Sequence, residues 1–306
     1  MDIFNSIPIF VAVADNQGFS SAAKALGVSK SAVSKRITQL ENQLGARLFH
    51  RTTRKLSMTE AGECFYQYAV QANRAGQQAA EAVNELKGEP RGVLKVQLPM
   101  TLGQIVISPL IPTFLASHPH LKIDLVLDDR QLNLIENGYD LALRVGSLAD
   151  SSLIARPLAP LHSVVCVAPN FYLQHKSYLQ QPEQLVDINC LTYSYSSNAD
   201  VWQFNSIANP KETIKINVVG NYRVNNSAAL RDALLSGVGV GRLPTFVAKQ
   251  AIQKGELIPL FQDYEMPVKQ LYAIYPERNY LPEKVRVFLD FIIDNLGHGK
   301  NDWDGI

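Results

Sequence analysis

The sequence predicts an α + α/β fold: an amino-terminal winged helix-turn-helix, a long linker helix and a carboxy-terminal α/β domain. Three observations carry this. Residues 18–62 hold two short helical patterns and two short strand patterns around a concentration of positive charge. Residues 65–86 carry one seam of small and apolar side chains at a period near that of a coiled coil. Beyond Gly92 short apolar strands alternate with helical stretches, the texture of an open α/β sheet.

The first helix of the motif starts at Phe19-Ser20-Ser21 and runs through an Ala-rich stretch to Leu26-Gly27. A hydroxyl cap is expected to open it, and Gly27 can close it in the left-handed conformation. Ser29 can cap a second helix, in which Val33, Ile37, Leu40 and Leu44 fall on one inward stripe. The other face, near the helix start, carries Lys30, Ser31, Ser34 and Lys35. A basic, polar leading end on the second helix can meet phosphates and base edges in a major groove. Ser29, Lys30, Ser31, Ser34 and Lys35 are therefore candidate DNA-binding residues, within a helix-turn-helix from Phe19 to Thr38.

Gly45 ends the second helix. Arg47 to Met58 then reads as two strands around a basic tip, with Arg51, Arg54 and Lys55 placed to hold a DNA backbone. Residues 18–62 contain eight Lys or Arg against Glu41 and Glu60, whereas the whole chain is only +1. Positive charge concentrated in this way is an electrostatic footprint for nucleic acid. Residues 63–306 are net −3, which argues against a second such surface. Upstream, Phe4, Ile7, Phe10, Val11 and Ala14 make a helical stripe expected to pack beneath the motif.

Thr59 can cap a new helix and Glu60 suits its positive end. Phe65, Ala69, Ala72, Gly76, Ala79, Val83 and Leu86 recur at gaps of four and three, the coiled-coil period. A helix from Thr59 to Lys87 would be roughly 43 Å long, with little else to bury its narrow seam against. The seam reads as a dimerisation face; the alternative is a helix lying on its own domain. Paired helix-turn-helices on a two-fold site favour the first.

Gly88-Glu89-Pro90-Arg91-Gly92 marks a boundary. Strands are expected at Leu94–Leu98, Ile123–Leu127, Asp140–Val145, Val164–Ala168, Leu191–Tyr195, Ile214–Val219, Val238–Leu243 and Gln270–Ile274. Helices are expected from Pro99 through Leu115, and at Gln131–Asn137, Ser227–Ser236, Pro244–Lys254 and Pro282–Leu296. Ligands of such sheets bind beyond the carboxyl ends of strands. Met100-Thr101, Arg144-Val145-Gly146 and Asn225-Asn226-Ser227 are three turns of that kind. Arg144 can grip a carboxylate as a fork, so an anionic small molecule is expected. The competing role for Thr101 and Ser227 is helix capping. For Arg144 it is an ion pair with Asp128 or Asp140.

No apolar run approaches the length of a membrane helix, and the start of the chain, with Asp2 and no basic lead, does not read as a secretory signal. Cys64, Cys166 and Cys190 form no disulfide or metal pattern; a reducing cytoplasm fits, with a redox-sensing cysteine as the alternative to buried small hydrophobes. No cofactor and no metal site is expected. Ser21-Ala22-Ala23-Lys24 matches a nucleophile pattern but lacks companion motifs. Gly237 to Gly241 is not a dinucleotide fingerprint. His118-Pro119-His120 lacks a third ligand nearby.

Residues 29–62, SKSAVSKRITQLENQLGARLFHRTTRKLSMTEAG, resemble the amino-terminal domain of LysR-type transcriptional regulators. The family pattern is met by Ala22, Ala23, Leu26, Ser29, Ala32, Val33, Ser34, Ile37, Leu40, Glu41, Leu44, Gly45, Leu48, Phe49, Arg51, Arg54, Thr59, Ala61 and Gly62. Met58 departs conservatively from a usual Leu. Lys30-Ser31 departs from a frequent Gln-Pro on the reading face, so no base preference carries over. Residues 140–156 also resemble a branch of the family.

The resemblance implies a winged helix-turn-helix over 1–59, a linker and dimerisation helix over 60–90, and an effector-binding domain over 91–297. That domain would have two lobes of the periplasmic-binding-protein type. Lobe I would be 91–161 with 268–297, lobe II 162–267, and 298–306 a tail. The effector cleft would lie at Met100, Thr101, Arg144, Asn225 and Asn226. Homodimers or homotetramers on double-stranded promoter DNA, a small-molecule effector, a cytoplasmic location, no membrane and no enzymatic activity follow from the same likeness. RNA polymerase is a candidate partner. Two competing functions are an enzyme with an appended winged helix and an architectural DNA binder that ignores metabolites. The first lacks a recognisable catalytic set, and the second leaves the α/β half without a purpose.

Overall fold

Glycine turns and polar caps cut the amino-terminal chain into short elements: α1 (Ile7–Asp15), α2 (Phe19–Leu26), α3 (Lys30–Leu44), β1 (Phe49–Arg51), β2 (Leu56–Met58) and α4 (Glu60–Glu85). The computed structural model describes residues 3–51, 56–85, 89–130, 132–146, 153–196, 198–209, 211–276 and 281–296. They form two units: the chain up to Glu89 together with Asn133–Gly138, and Pro90–Leu132 with the chain from Tyr139.

In the first unit Gly27 and Gly45, both at φ +66°, close α2 and α3 in the left-handed conformation. Ser29 caps α3, its Oγ accepting from the Ala32 amide at 3.2 Å. The expected hydroxyl cap of α2 is corrected: Gly18 holds the cap position and no side chain caps the helix. Phe19 to Ser21 already lie inside the first turn, and the Ser21 hydroxyl turns back to the Gly18 carbonyl. Val33, Ile37 and Leu40 are fully buried with Phe10, Val13, Ala22 and Leu48. Phe4 departs from the expected stripe and is 71% exposed. Ile3–Ser6 is a 3-10 turn, whose three-residue period takes Phe4 off the α-helical face.

The linker seam is also corrected in part. Phe65, Ala69 and Ala72 join the core of their own domain, and the Phe65 ring meets Phe10 edge-on at 5.0 Å. The outer seam, Gly76 and Ala79, is exposed. Arg54, Lys55 and Leu86 lie outside the described residues, as do the side chains of Arg51 and Val83 and the tail over 298–306.

The second unit contains β3 (Gly92–Leu98), α5 (Met100–Leu102), α6 (Ile111–Ser117), β4 (Leu121–Leu127), β5 (Leu141–Val145) and β6 (Leu153–Leu161), with Leu134–Asn137 helical in the first unit. It continues through β7 (Ser163–Val167), α7 (Pro169–His175), β8 (Cys190–Tyr193), β9 (Val201–Ser206), β10 (Thr213–Asn217), β11 (Arg223–Val224) and α8 (Ser227–Leu235). Last come β12 (Val240–Pro244), α9 (Thr245–Gln253), β13 (Ile258–Pro259), β14 (Tyr264–Glu265), β15 (Lys269–Pro276) and α10 (Glu283–Leu296).

One five-stranded sheet has the order β4-β3-β5-β15-β6, and a second β11-β8-β12-β7-β13; β10-β9-β14 forms a small third. The chain crosses from the first sheet to the second between Leu161 and Ser163 and returns at Lys269. Leu94, Val96, Phe114, Phe288 and Leu289 belong to a core shared by residues of both large sheets. Trp202 and Phe204 centre a second core, beside β7.

Four expectations change here. The helix from Pro99 through Leu115 is broken: α5 gives way to a π-helical turn at Gly103–Ile107, a 3-10 turn at Ser108–Leu110, and then α6. Pro109 and Pro112 lack the amides a regular helix would need. Met100–Ser117 is an 18-residue apolar stretch of mean hydropathy 1.4, longer than expected; its Leu102, Ile107 and Phe114 lie in the α/β core. The helix expected at Gln131–Asn137 is reduced to Leu134–Asn137, started by the Asn133 side chain; Gln131 lies outside the described residues. Strands β6 and β9 and helix α7 were not expected. In β6 Pro157 and Pro160 argue against a strand, and they are tolerated because β6 is a sheet edge.

Candidate functional site

The start of α3 presents Lys30, Ser31 and Lys35 to solvent, with Ser34 half-buried beside them. The Ser29 and Ser31 hydroxyls are 3.0 Å apart. A polar clamp holds this helix against the wing. The buried Glu41 carboxylate accepts from the Leu48 and Phe49 amides at 2.9 and 3.3 Å, and from Arg47 at 3.0 Å. The Thr59 hydroxyl donates to the Arg47 carbonyl and accepts from the Gly62 amide. A Cβ at Gly62 would lie 2.0 Å from the Leu48 carbonyl oxygen, so only glycine fits that approach. β1 and β2 pair antiparallel, Phe49 opposite Met58.

The second unit encloses a cavity of about 200 Å³. Strand ends of both large sheets supply its polar wall: Gln97, Thr101 and Arg144 from one side, and Tyr193 and Arg242 from the other, with Lys269 at the return crossing. Thr101 is 5% exposed and its Oγ1 has no hydrogen-bond partner. Arg144 donates one terminal nitrogen to the Leu132 carbonyl at 2.5 Å, and its buried Nε has no partner. Neither ion pair considered for Arg144 forms. Asp128 is taken by Arg130, and Asp140 by Lys284 at 3.2 Å. Burial pulls the Arg144 and Arg242 guanidiniums below the ordinary arginine range. Lys269 is exposed as a residue, yet desolvation, then the neighbouring charge of Arg242, lowers it from the ordinary lysine range.

Two carboxylates border these cations. Arg130 holds Asp128 below the usual carboxylate range, chiefly by hydrogen bonds to its side chain. Burial raises Asp129, against the lowering effect of bonds from the Met100 amide and the Tyr193 side chain. The Tyr193 hydroxyl is pushed up by burial and then by the charge of Asp129.

Of the residues singled out in the sequence, Thr101 and Arg144 line the cavity and Ser227 lies on its wall. Met100, Asn225 and Asn226 are absent from that wall. The Met100 amide, expected to be open to an anion, is met by Asp129 at 2.9 Å. Asn226 caps α8 through the Ala228 and Ala229 amides, and Asn225 donates to the Tyr195 hydroxyl. These three are corrected to structural roles.

Sequence reasoning missed Gln97, Asp129, Tyr193, Arg242 and Lys269. Gln97 alternates with the apolar Leu94, Val96 and Leu98, a position that alternation assigns to solvent, yet it is 3% exposed. The signal for Arg242 was a lone cation in an otherwise apolar strand. Cys166 and Cys190 are buried, which pushes both thiols up to about 12 and keeps them protonated.

Comparison with known proteins agrees with this division. Residues 87–297 match the family described as LysR substrate binding domain. Residues 4–63 match that described as bacterial regulatory helix-turn-helix protein, lysR family. The transcriptional regulator CrgA of Neisseria meningitidis serogroup C is 33% identical over 297 residues, covering 95% of this chain and 96% of that protein. The regulator PtxR of Pseudomonas aeruginosa is 32% identical over 293 residues, covering 96% and 93%. The solved structure of CrgA from Neisseria meningitidis superposes with a TM-score of 0.62 at 32% identity, over 96% of this chain and 99% of that one. The full-length structure of the Vibrio cholerae virulence activator AphB does so with a TM-score of 0.62 at 26% identity, over 96% and 99%.

Proposed function

The chain belongs to the LysR family of DNA-binding transcriptional regulators with an effector-binding domain, and from that premise we propose which of its residues read DNA and which hold the effector. Ser29, Lys30, Ser31, Ser34 and Lys35 lie in the major groove, and Arg51, Arg54 and Lys55 of the wing hold the backbone. A small anion occupies the cavity at Thr101, Arg144, Arg242 and Lys269. The observation that carries the DNA assignment is the exposure of Lys30, Ser31 and Lys35 on one capped helix start.

Residues 1–59 serve as the DNA-binding domain, 60–90 as the linker, and 91–297 as the effector domain. Two copies pair through the outer part of α4, where Gly76 and Ala79 are exposed, and the α/β domains join dimers into tetramers. The protein works in the cytoplasm, catalyses no reaction and passes its signal to RNA polymerase. The effector acts by binding one arrangement of the lobes better than another.

The test is fluorescence anisotropy of the purified protein on DNA from upstream of its own gene, against shuffled DNA, with and without small carboxylic acids. Preference for the native fragment, altered by an acid, is expected; equal binding to both DNAs would overturn the assignment. Lys35→Ala is expected to weaken binding and to reduce the salt dependence by about one unit of slope, the signature of one lost phosphate contact. An unchanged slope would remove that role.

A pH dependence follows from Lys269. An anion in the cavity favours the protonated lysine, so binding takes up a proton wherever the free lysine is partly neutral. Affinity is therefore expected to fall as pH rises through its lowered range, before the ordinary value of 10.5 is reached. Calorimetry in buffers of different ionisation enthalpy reads both the affinity and the proton uptake. An affinity independent of pH up to the ordinary lysine range would exclude Lys269 as a contact.

A further inference from the structure

Resting on the assignment of this cavity to the effector, we infer that the ligand is a small dicarboxylate carrying a hydroxyl group. Charge gives the first half. Arg144, Arg242 and Lys269 line the cavity. Among the acids on its wall, Asp128 is neutralised by a forked contact from Arg130 at 2.6 and 2.9 Å. Asp129 alone is left against three cations, so two negative charges are missing. Lys269 is exposed, but Arg144 and Arg242 are partly buried; leaving partly desolvated charge unpaired is costly, and a dianion removes that cost.

The cations come from both large sheets. Lys269, on β15, shares the first sheet with Arg144. Arg144 sits on β5 of the first sheet and Arg242 on β12 of the second. Cations drawn from two sheets suit a ligand with a carboxylate at each end.

Gln97 gives the second half. Its Nε2 donates to the Asp128 and Arg130 carbonyls, both at 2.9 Å. Flipping the amide would set its oxygen against two carbonyl oxygens, so the orientation is determined. Its Oε1 is thereby a buried acceptor, and it has no donor. The buried Thr101 hydroxyl beside the same cavity also has no partner. A carboxylate cannot donate to Gln97. A ligand hydroxyl can, and a ligand oxygen can accept from Thr101. An ammonium would add positive charge to an already cationic site. Size agrees: a cavity of about 150 Å³ holds benzene, so this one has room for roughly eight to ten heavy atoms, as in a four-carbon hydroxy diacid.

The experiment is calorimetric titration of the full-length protein with both enantiomers of malate and tartrate, and with succinate, lactate and inorganic phosphate. At least one hydroxy diacid is expected to bind about tenfold or more tighter than succinate, the value of one buried hydrogen bond. Lactate and phosphate are expected to bind more weakly still, and Thr101→Val to narrow the preference over succinate. If succinate, lactate or phosphate binds as tightly as every hydroxy diacid, and Arg242→Met weakens that binding about tenfold or more, the inference falls while the cavity remains the anion site. If no acid binds, or if Arg242→Met leaves binding untouched, the inference and the cavity assignment fall together.

Discussion

Glu41→Ala is expected to destabilise the amino-terminal unit by about 3 kcal/mol, because two buried backbone amides then lose their acceptor at a typical cost of ~1–3 kcal/mol each. Glu41 is 3% exposed and bonds the Leu48 and Phe49 amides. Its ion pair adds little, since the Arg47 side chain is 69% exposed and water screens it. For a unit of this size the loss corresponds to a fall of roughly 12–24 °C in its melting transition. Glu41→Gln keeps an acceptor for the amides and gives up only the charge, so it is expected to lose less than half as much. Far-ultraviolet circular dichroism melts read the stability, and hydrogen exchange at Leu48 and Phe49 reads the clamp itself. DNA affinity should fall with stability, while anion binding in the α/β unit is retained. A melting curve like that of the unsubstituted protein would mean that other groups, or water, satisfy those amides.

The amino-terminal motif was legible because its signals are local. Gly27, Ser29 and Gly45 act within one turn of their own positions, and the inward stripe of α3 follows from helical spacing alone. What spacing could not give was the job of each side chain. Glu41 and Gly62 stand out as matches to a family pattern, but the clamp on Leu48 and the close approach to its carbonyl appear only when α3, the wing and α4 are assembled. The seam of α4 shows a related limit. A period near 3.5 marks an apolar face and does not say what covers it, and Phe65, Ala69 and Ala72 are covered by their own domain.

The cavity was legible only where a turn advertises itself. Thr101 and Arg144 follow strand ends and were found. Arg242 and Lys269 reach the same space from segments about a hundred residues away, because the chain crosses to the second sheet after β6 and comes back at β15. Gln97 was hidden by strand alternation, which assigns a polar residue to solvent unless something inside needs it. The Asp128 and Arg130 carbonyls supply that need.

Arg242→Met is expected to move stability and ligand binding in opposite directions. The guanidinium is desolvated and makes no ion pair among the described residues, so the protein without ligand carries an uncompensated cation. A flexible apolar side chain of similar length removes that penalty, and such replacements are commonly neutral or stabilising by about 1–4 kcal/mol. At the low end, the melting transition of the α/β unit rises by roughly 2–4 °C. The ligand meanwhile loses a charge-assisted hydrogen bond, worth about 1.5–3 kcal/mol or roughly ten- to 150-fold in affinity. DNA binding without effector should be unchanged, because the cations proposed to meet DNA lie in the other unit. Differential scanning calorimetry, anion titration and promoter binding on the one variant separate these effects. A lower melting temperature with unchanged anion affinity would assign Arg242 to holding the fold, and would remove it from the ligand's reach.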